Sequence, residues 1–326
     1  RRQRQMCIRD RIDISILKDL GYDVLLSNRI FDSLLFWKYD ILFSYFYRYS
    51  FFAALLAKCF GKKTYFTGGI DSLDSDYASA FNYKIQALFF KLCYWVADSC
   101  IIVSQSDLKN IFKVSSLKKK LSYSEHVINT KLFIADVPKE KIFTSIVWMG
   151  DEGNVVRKGV DKALQIFAEL KKIPEFVDYR FVIIGRKGEG EVLVRSIIDK
   201  YNLKGSVELK GEVSEEDKIN LLKQSKYYFQ LSLYEGFGLA ALEALCANNI
   251  IIHSGKGGLA NPIYKEQLLF DIDNDFDSEL LKLVNKLACF TPITSYDNLL
   301  EYYDIQRRKD DFEAIIVNGK SNYKLK

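Results

Sequence analysis

The chain has 326 residues, 48% of them hydrophobic, enough for two domains of ordinary size, each with its own core. Its 23 Phe and 20 Tyr against only four Pro exclude a chain dominated by disorder. The net charge of +5 divides unevenly: residues 1–145 carry 22 Lys+Arg against 14 Asp+Glu (+8), and the remainder 25 against 28 (−3). A basic first half suits an anionic acceptor, a membrane surface, or simply a solvated face.

Residues 1–11 show no apolar period and no signal-peptide plan. They resemble translated sequencing-adapter sequence and are read as non-native. Residues 12–20 then read as a helix, Gly21 as its stop, and 24–27 as a strand. Further strands are predicted at 41–45, 63–67 and 100–103, with helices at 51–59, 82–95 and 106–112. The longest apolar window, 41–57, holds Arg48 and several tyrosines, so a buried strand–helix pair explains it better than a membrane span. The six cysteines (7, 59, 93, 100, 246 and 289) lie mostly in apolar runs without any Cys-x-x-Cys. That pattern reads as buried thiols in a reducing, cytoplasmic compartment, not a disulfide scaffold or zinc site.

The polar, proline-bearing stretch 131–141 reads as an interdomain linker. After it come strand 145–149, helix 160–172, strand 180–184, helix 190–201, strand 206–209, helix 215–224, strand 227–233, helix 239–247, strand 249–253 and helix 277–287. This alternation argues for an α/β protein with parallel sheets. The expected division is 1–140 for a first Rossmann-like domain, 141–295 for a second, and 296–326 for a helical tail.

The most informative segment is 232–245, Ser-Leu-Tyr-Glu-Gly-Phe-Gly-Leu-Ala-Ala-Leu-Glu-Ala-Leu. Glu235 and Glu243 bracket a Gly-Phe-Gly turn between a strand and a helix. Such a turn lets backbone N–H groups approach a ligand, and the helix behind it aims its positive end at an anion. Two acids so placed suit a nucleotide-sugar site, one for sugar hydroxyls and one for the ribose diol. Glutamates on a solvated helix face are the bland alternative; Gly236 and Gly238 beside both acids favour the site.

The segment resembles the Glu-x7-Glu motif of the retaining, GT-B-fold glycosyltransferases, the "group one" family. Val147-Trp-Met-Gly150 followed by Arg157-Lys158-Gly159-Val160-Asp161 is similar to that family's strand, glycine and Lys-Gly helix start. So are Tyr-Arg-Phe-Val-Ile-Ile-Gly at 179–185, Val-Glu-Leu-Lys-Gly-Glu-Val-Ser at 207–214, Leu-Leu-Lys-Gln-Ser-Lys at 221–226 and Ser-Gly-Lys-Gly-Gly-Leu at 254–259. The resemblance covers about 145–265 well and the first half more loosely. It implies two Rossmann-like domains facing a cleft, with the first strand and glycine-rich loop of the N-terminal domain missing. It also implies transfer of a sugar, with retention, from a nucleotide sugar to a glycan or lipid-linked acceptor in polysaccharide biosynthesis. No cofactor, metal or nucleic acid is expected.

By that resemblance Glu235 holds the donor sugar and Glu243 the ribose, with Gly150 and the backbone of Gly236, Phe237, Gly238 and Leu239 near sugar or phosphate. Lys158 and Arg157, read as opening a helix after a strand, meet the diphosphate. In the first domain Thr67-Gly-Gly-Ile-Asp71 is like the family's Thr-His-Gly-x-Asp, which carries over Gly69 and Asp71. Three departures stand out: Asp151 where the family has Arg, Gly68 where histidine is common, and Asn261 where Glu is frequent. They leave open a non-catalytic nucleotide- or glycan-binding relative, and the missing first strand and loop leave open an inactive fragment of such an enzyme.

Other signals are weaker. Asp74-Ser-Asp76 reads as turn chemistry, not a metal motif. The run 271–275 has Phe276 where a calcium loop needs glycine. His126 and His253 read as structural. Lys118-Lys119-Lys120 reads as a solvated loop or, alternatively, a peripheral contact with anionic lipid at the inner face of the membrane.

Overall fold

The computed structural model describes residues 8–27, 35–68, 70, 73–75, 77–134, 137–290 and 297–319. They form two compact units, one built from the described residues of 1–128 and 302–326, the other from those of 129–301.

In the first unit the described residues begin with helix α1 (Ile8–Asp19), and 22–27 form no strand. The strand expected at 24–27 is therefore absent; two of its apolar residues, Leu25 and Leu26, lie exposed beyond the helix stop. Strand β1 (Ile41–Ser44), helix α2 (Tyr47–Cys59), strand β2 (Lys63–Thr67), helix α3 (Ala80–Val96), strand β3 (Ser99–Ile102), helix α4 (Gln105–Val114) and strand β4 (Leu121–Tyr123) follow. The four strands make one parallel sheet in the order β1-β2-β3-β4. One face is covered by α2, α3 and α4 through Phe51, Ala54, Phe90, Cys93 and Ile111.

The second unit runs β5 (Glu140–Ile146), α5 (Glu152–Arg157), α6 (Val160–Leu170), β6 (Arg180–Ile184), α7 (Glu191–Lys200), β7 (Val207–Gly211), α8 (Glu215–Gln224), β8 (Ser225–Gln230), α9 (Leu239–Cys246), β9 (Ile250–His253), β10 (Leu268–Leu269) and α10 (Phe276–Cys289). Helix α11 (Asp297–Tyr302) leads out of it, and α12 (Ile305–Phe312) with a π turn at Glu313–Val317 belongs to the first unit. There Phe312, Ile315 and Ile316 pack with Ile16 of α1 and Tyr65 and Ile101 of the sheet. Arg308, fully buried, donates to both carboxylate oxygens of Asp13 at 2.7 and 2.9 Å, which ties the C-terminal helix to α1.

The six strands of the second unit are all parallel, ordered β10-β9-β8-β5-β6-β7. Their core is aromatic: the Phe143 ring stacks on Tyr227 at 4.6 Å and on Phe229 at 5.1 Å. Helix α6 buries Val160, Ala163, Leu164 and Phe167, the spacing of one helical face. Two strands are shifted from expectation: β5 ends at 146 and not 149, and β8 ends at 230 and not 233. Beyond 146 the chain still runs beside the end of β6, the Val147 and Met149 N–H groups donating to the Ile184 and Arg186 carbonyls at 2.9 Å each, whereas beyond 230 the Leu233 N–H turns to the Arg157 carbonyl at 2.9 Å. The expected linker 131–141 already contains the start of β5, and the Lys139 ammonium donates to the carbonyls of Lys223 (2.8 Å) and Ala247 (2.5 Å), at the ends of α8 and α9.

Ser214 caps α8, accepting from the Asp217 N–H at 3.0 Å and donating to its carboxylate at 2.6 Å. Ser214→Ala is expected to lower stability by about 1 kcal/mol, read from the urea midpoint. Among the described residues, no helix is long and apolar enough to cross a membrane. Cys93, Cys100 and Cys246 are buried, as the reading of buried thiols expects, whereas Cys59 and Cys289 are exposed because each ends a helix where it leaves the core.

Candidate functional site

In the six-stranded sheet the chain enters at β5, steps to β6 and β7 on one side, then crosses back to β8, β9 and β10 on the other. The order reverses between β5 and β8. At such a point the two connections leave in opposite directions and open a crevice at the carboxyl ends of the strands, where open α/β sheets bind ligands. The loop after β5 brings Gly150, Arg157 and Lys158; the loop after β8 brings Ser232, Glu235, Gly236, Phe237 and Gly238.

The two loops are joined by the Lys158 ammonium, which donates to Glu235 Oε2 at 2.6 Å. Ser232 Oγ and Gln230 Nε2 donate to the same oxygen at 3.2 and 3.3 Å. Gln230 is held from behind: Tyr228 Oη donates to its Oε1 at 3.2 Å and accepts from the Ile146 N–H at 3.2 Å. A chain of polar groups therefore runs from the end of β5 to the Glu235 carboxylate. Glu235 is 8% exposed and the Lys158 side chain 21%, so the pair sits at the mouth of the crevice and can exchange partners with a ligand.

Lys158 and Arg157 do not open a helix after a strand. Arg157 ends the short helix α5, Lys158 caps it, and Gly159 starts α6. Gly159 has φ +67°, and a Cβ there would lie 2.0 Å from the Leu231 carbonyl oxygen. Only glycine permits that approach, and the resulting turn points Lys158 inward. The Arg157 guanidinium instead donates to Asn154 Oδ1 at 2.7 Å, while its carbonyl accepts from the Leu233 N–H at 2.9 Å. Asp151, which stands where the resembled family has Arg, caps α5 by accepting from the Asn154 N–H at 2.6 Å.

Behind Glu235, Gly238 begins α9 in the left-handed region, so the first N–H groups of that helix face the loop. Phe237 is buried, whereas Gly236 and Leu239 are half-buried. The loop after β9 supports them: Ser254 Oγ donates to the Ser232 carbonyl at 2.6 Å, and a Cβ on Gly257 would lie 2.3 Å from the Glu235 carbonyl oxygen.

Glu243 lies on α9 but not beside Glu235's partners. It is 3% exposed, and Lys218 of α8 donates to both its oxygens at 2.9 and 3.0 Å. Lys218 also pairs with Glu215 at 2.7 Å. Burial raises the Glu243 carboxyl above its ordinary range, and the nearby Lys218 charge partly opposes that. Lys218, Gln230 and Ser232 escaped the sequence reading. Gln230 and Ser232 alternate toward Glu235 at the strand period, a signal present but unread; Lys218 had none. Gly69 and Asp71 lie outside the described residues.

The remaining sequence candidates are structural. Asp74 accepts from the Tyr77 N–H at 3.2 Å, and Asp275 caps α10 at 2.9 Å from the Ser278 N–H; Asp76 lies outside the described residues. His126 and His253 are buried. Burial lowers the His253 imidazole to about 4. Because the unfolded chain takes up a proton near pH 6.5 and the folded one does not, stability present above that pH is lost as pH falls toward 4. The loss is on the order of 2–3 kcal/mol. His253→Gln is expected to flatten this acid limb in urea titrations between pH 7 and pH 4.

Residues 153–287 match the family described as Glycosyl transferases group 1. The chain is 32% identical over 163 residues to GDP-mannose:cellobiosyl-diphosphopolyprenol alpha-mannosyltransferase of Xanthomonas oryzae pv. oryzae, covering 44% of this chain and 40% of that one. Over 105 residues it is 30% identical to a component of human phosphatidylinositol N-acetylglucosaminyltransferase, covering 32% and 21%. The matches thus span less than half the length of these relatives. Among solved structures, Anabaena HepE in complex with UDP-glucose superposes with a TM-score of 0.70 at 12% identity, over 94% of this chain and 88% of that one. Sucrose-phosphate synthase from Thermosynechococcus elongatus gives 0.61 at 18%, over 86% and 72%. The fold, with two parallel sheets, is that of these GT-B glycosyltransferases.

Proposed function

With its second unit matching the group 1 glycosyl transferases, we propose that this protein transfers a sugar from a nucleotide-diphosphate sugar to a lipid-linked or glycan acceptor, with retention, on the cytoplasmic side of a membrane. The observation that carries the reading is the Lys158–Glu235 pair at the switch point of the six-stranded sheet. Breaking an anomeric C–O bond to a diphosphate leaves negative charge on the departing phosphate. Lys158 and the N-terminus of α9 converge where that charge develops. Once Lys158 turns to phosphate, Glu235 is released to accept hydroxyls of the sugar, while Gln230 and Ser232 keep its carboxylate oriented. Front-face attack needs no dedicated base, since the leaving phosphate takes the acceptor's proton.

In this reading Glu243 reaches the ribose diol in part through exchange with Lys218, and Arg157 serves the phosphates only by leaving Asn154. The Xanthomonas relative uses GDP-mannose and a diphosphopolyprenol acceptor by its name, and the human one acts on phosphatidylinositol; both support a lipid-linked acceptor. A second reading, a nucleotide-binding relative without turnover, is favoured by Asp151 and Asn261, which are committed to capping α5 and the turn at Pro262–Tyr264.

The test is thermal-shift binding of UDP, GDP and ADP, followed by turnover of the matching sugar nucleotides with the product anomer read by NMR. At a hundred times its dissociation constant, a nucleotide stabilises by about 2.7 kcal/mol. Binding with an axial-to-axial or equatorial-to-equatorial product supports the transferase. Binding without turnover supports the second reading, and no binding by any of the three defeats both.

A further inference from the structure

The outward face of α3 does something the fold does not require. Its inner face is spent on the first unit's core through Gln86, Phe90, Cys93 and Tyr94. Yet Phe81 and Trp95 are each 71% exposed and Leu88 54%. These three recur every seven residues, with exposed Lys84 and Lys91 interleaved at the same period. At 100° per residue all five fall within about 80° of the helix circumference, along about 21 Å of its axis. Single exposed apolar residues need no explanation, but a stripe of them does.

The charges on the two helices themselves are all basic: α2 and α3 contain no Asp or Glu, and carry Arg48, Lys58, Lys84 and Lys91. Of these, Lys58 is paired with Asp98, just past the end of α3, at 2.8 Å, which leaves Lys84 and Lys91 as the cations interleaved with the stripe. Helix α2, packed beside α3 through the Phe51–Phe89 ring contact at 6.0 Å, leaves Tyr49 and Phe52 exposed as well. At the C-terminal end of α3, Lys120 donates to the Trp95 carbonyl at 2.8 Å, which anchors the Leu117–Lys120 turn with exposed Lys118 and Lys119 beside the stripe.

We infer that this face is a docking surface for an anionic phospholipid bilayer, on which α3 lies in the interface plane with its aromatic stripe in the headgroup boundary and its lysines among the lipid charges. A helix with aromatic and aliphatic residues flanked by lysines has the composition such contacts use. A second copy of the chain is the poorer occupant, because a two-fold contact would set α3 against α3 and bring like charges together. The surface stands independently of the reading of the donor site.

The experiment is sedimentation of the full chain with vesicles of phosphatidylcholine alone and of equal parts phosphatidylcholine and phosphatidylglycerol. Wild type is expected to bind the mixed vesicles, with salt reducing binding, and to leave the neutral ones in solution. Lys84→Gln with Lys91→Gln should lower the partition constant about thirty-fold, from the loss of two cations near the surface. Phe81→Ser with Leu88→Ser should abolish binding while melting as wild type does. In a background of Trp37→Phe and Trp148→Phe, Trp95 emission should move to the blue on mixed vesicles only. Equal binding to both vesicles, or variants that bind as wild type, would overturn the inference. So would a wild-type dimer that the serine variant dissolves without any vesicle binding.

Discussion

Lys218→Met should destabilise the second unit by about 3–5 kcal/mol, measured as the loss of unfolding free energy in urea at neutral pH. The substitution removes a side chain that is itself 6% exposed and is the bidentate partner of a carboxylate 3% exposed. Taking away one member of such a pair leaves the other charged and desolvated. Burial already raises the Glu243 carboxyl, and in the variant the opposing Lys218 charge is gone. The sign of the pH dependence follows. A carboxyl whose folded pKa lies above its unfolded value releases its proton more easily when unfolded, so stability falls as pH climbs from the unfolded value through the folded one. The variant should therefore recover part of its stability near pH 4–5 relative to pH 8. Adding Glu243→Leu should offset most of the loss, since a well-packed apolar pair replaces buried ions at little cost. A Lys218→Met protein as stable as wild type at pH 8 would show that Glu243 draws its support from elsewhere.

Lys158→Ala acts on rate. We expect transfer to fall about 10²–10³-fold, the usual effect of removing one preorganised charge from a site of developing negative charge. Stability should change by no more than about 1 kcal/mol, because the Lys158 side chain is partly exposed and Glu235 keeps Gln230 and Ser232 as donors. Lys158→Arg should restore part of the rate. The outcome that sinks this role is an alanine variant with wild-type turnover, or one whose loss is matched by unfolding.

Much of the local structure was legible in the residues. Strands 63–67 and 180–184 and helix 215–224 fall where composition and period placed them, because each is bounded by its own chemistry: Gly68 and Gly185 after the strands, the Ser214 cap before the helix. Strands 121–123 and 268–269 and the helix at Glu152–Arg157 were not legible. Two or three residues carry no period, and the short helix forms because Asp151 caps it and the surrounding loops hold it, which propensity alone does not reveal.

The candidate site divides the same way. By itself the sequence determined the Gly-Phe-Gly turn, the two glutamates at their spacing, and the Lys-Gly pair, since glycine at 159 and 238 answers a backbone requirement that is local. Only the tertiary structure decided that Lys158 meets Glu235 across 77 positions while Arg157 turns to Asn154, and that Glu243 is held by Lys218 from a different helix. It likewise joined Asp13 to Arg308 across 295 positions. The Asp13–Arg308 pair depends on the C-terminal helix returning to the first unit, whereas the pairings of the second unit depend on the order in which its parallel strands assemble, and above all on β8 inserting beside β5. That choice rests on burial summed over whole strand faces, and so it is made by the sheet and not by any single residue in it.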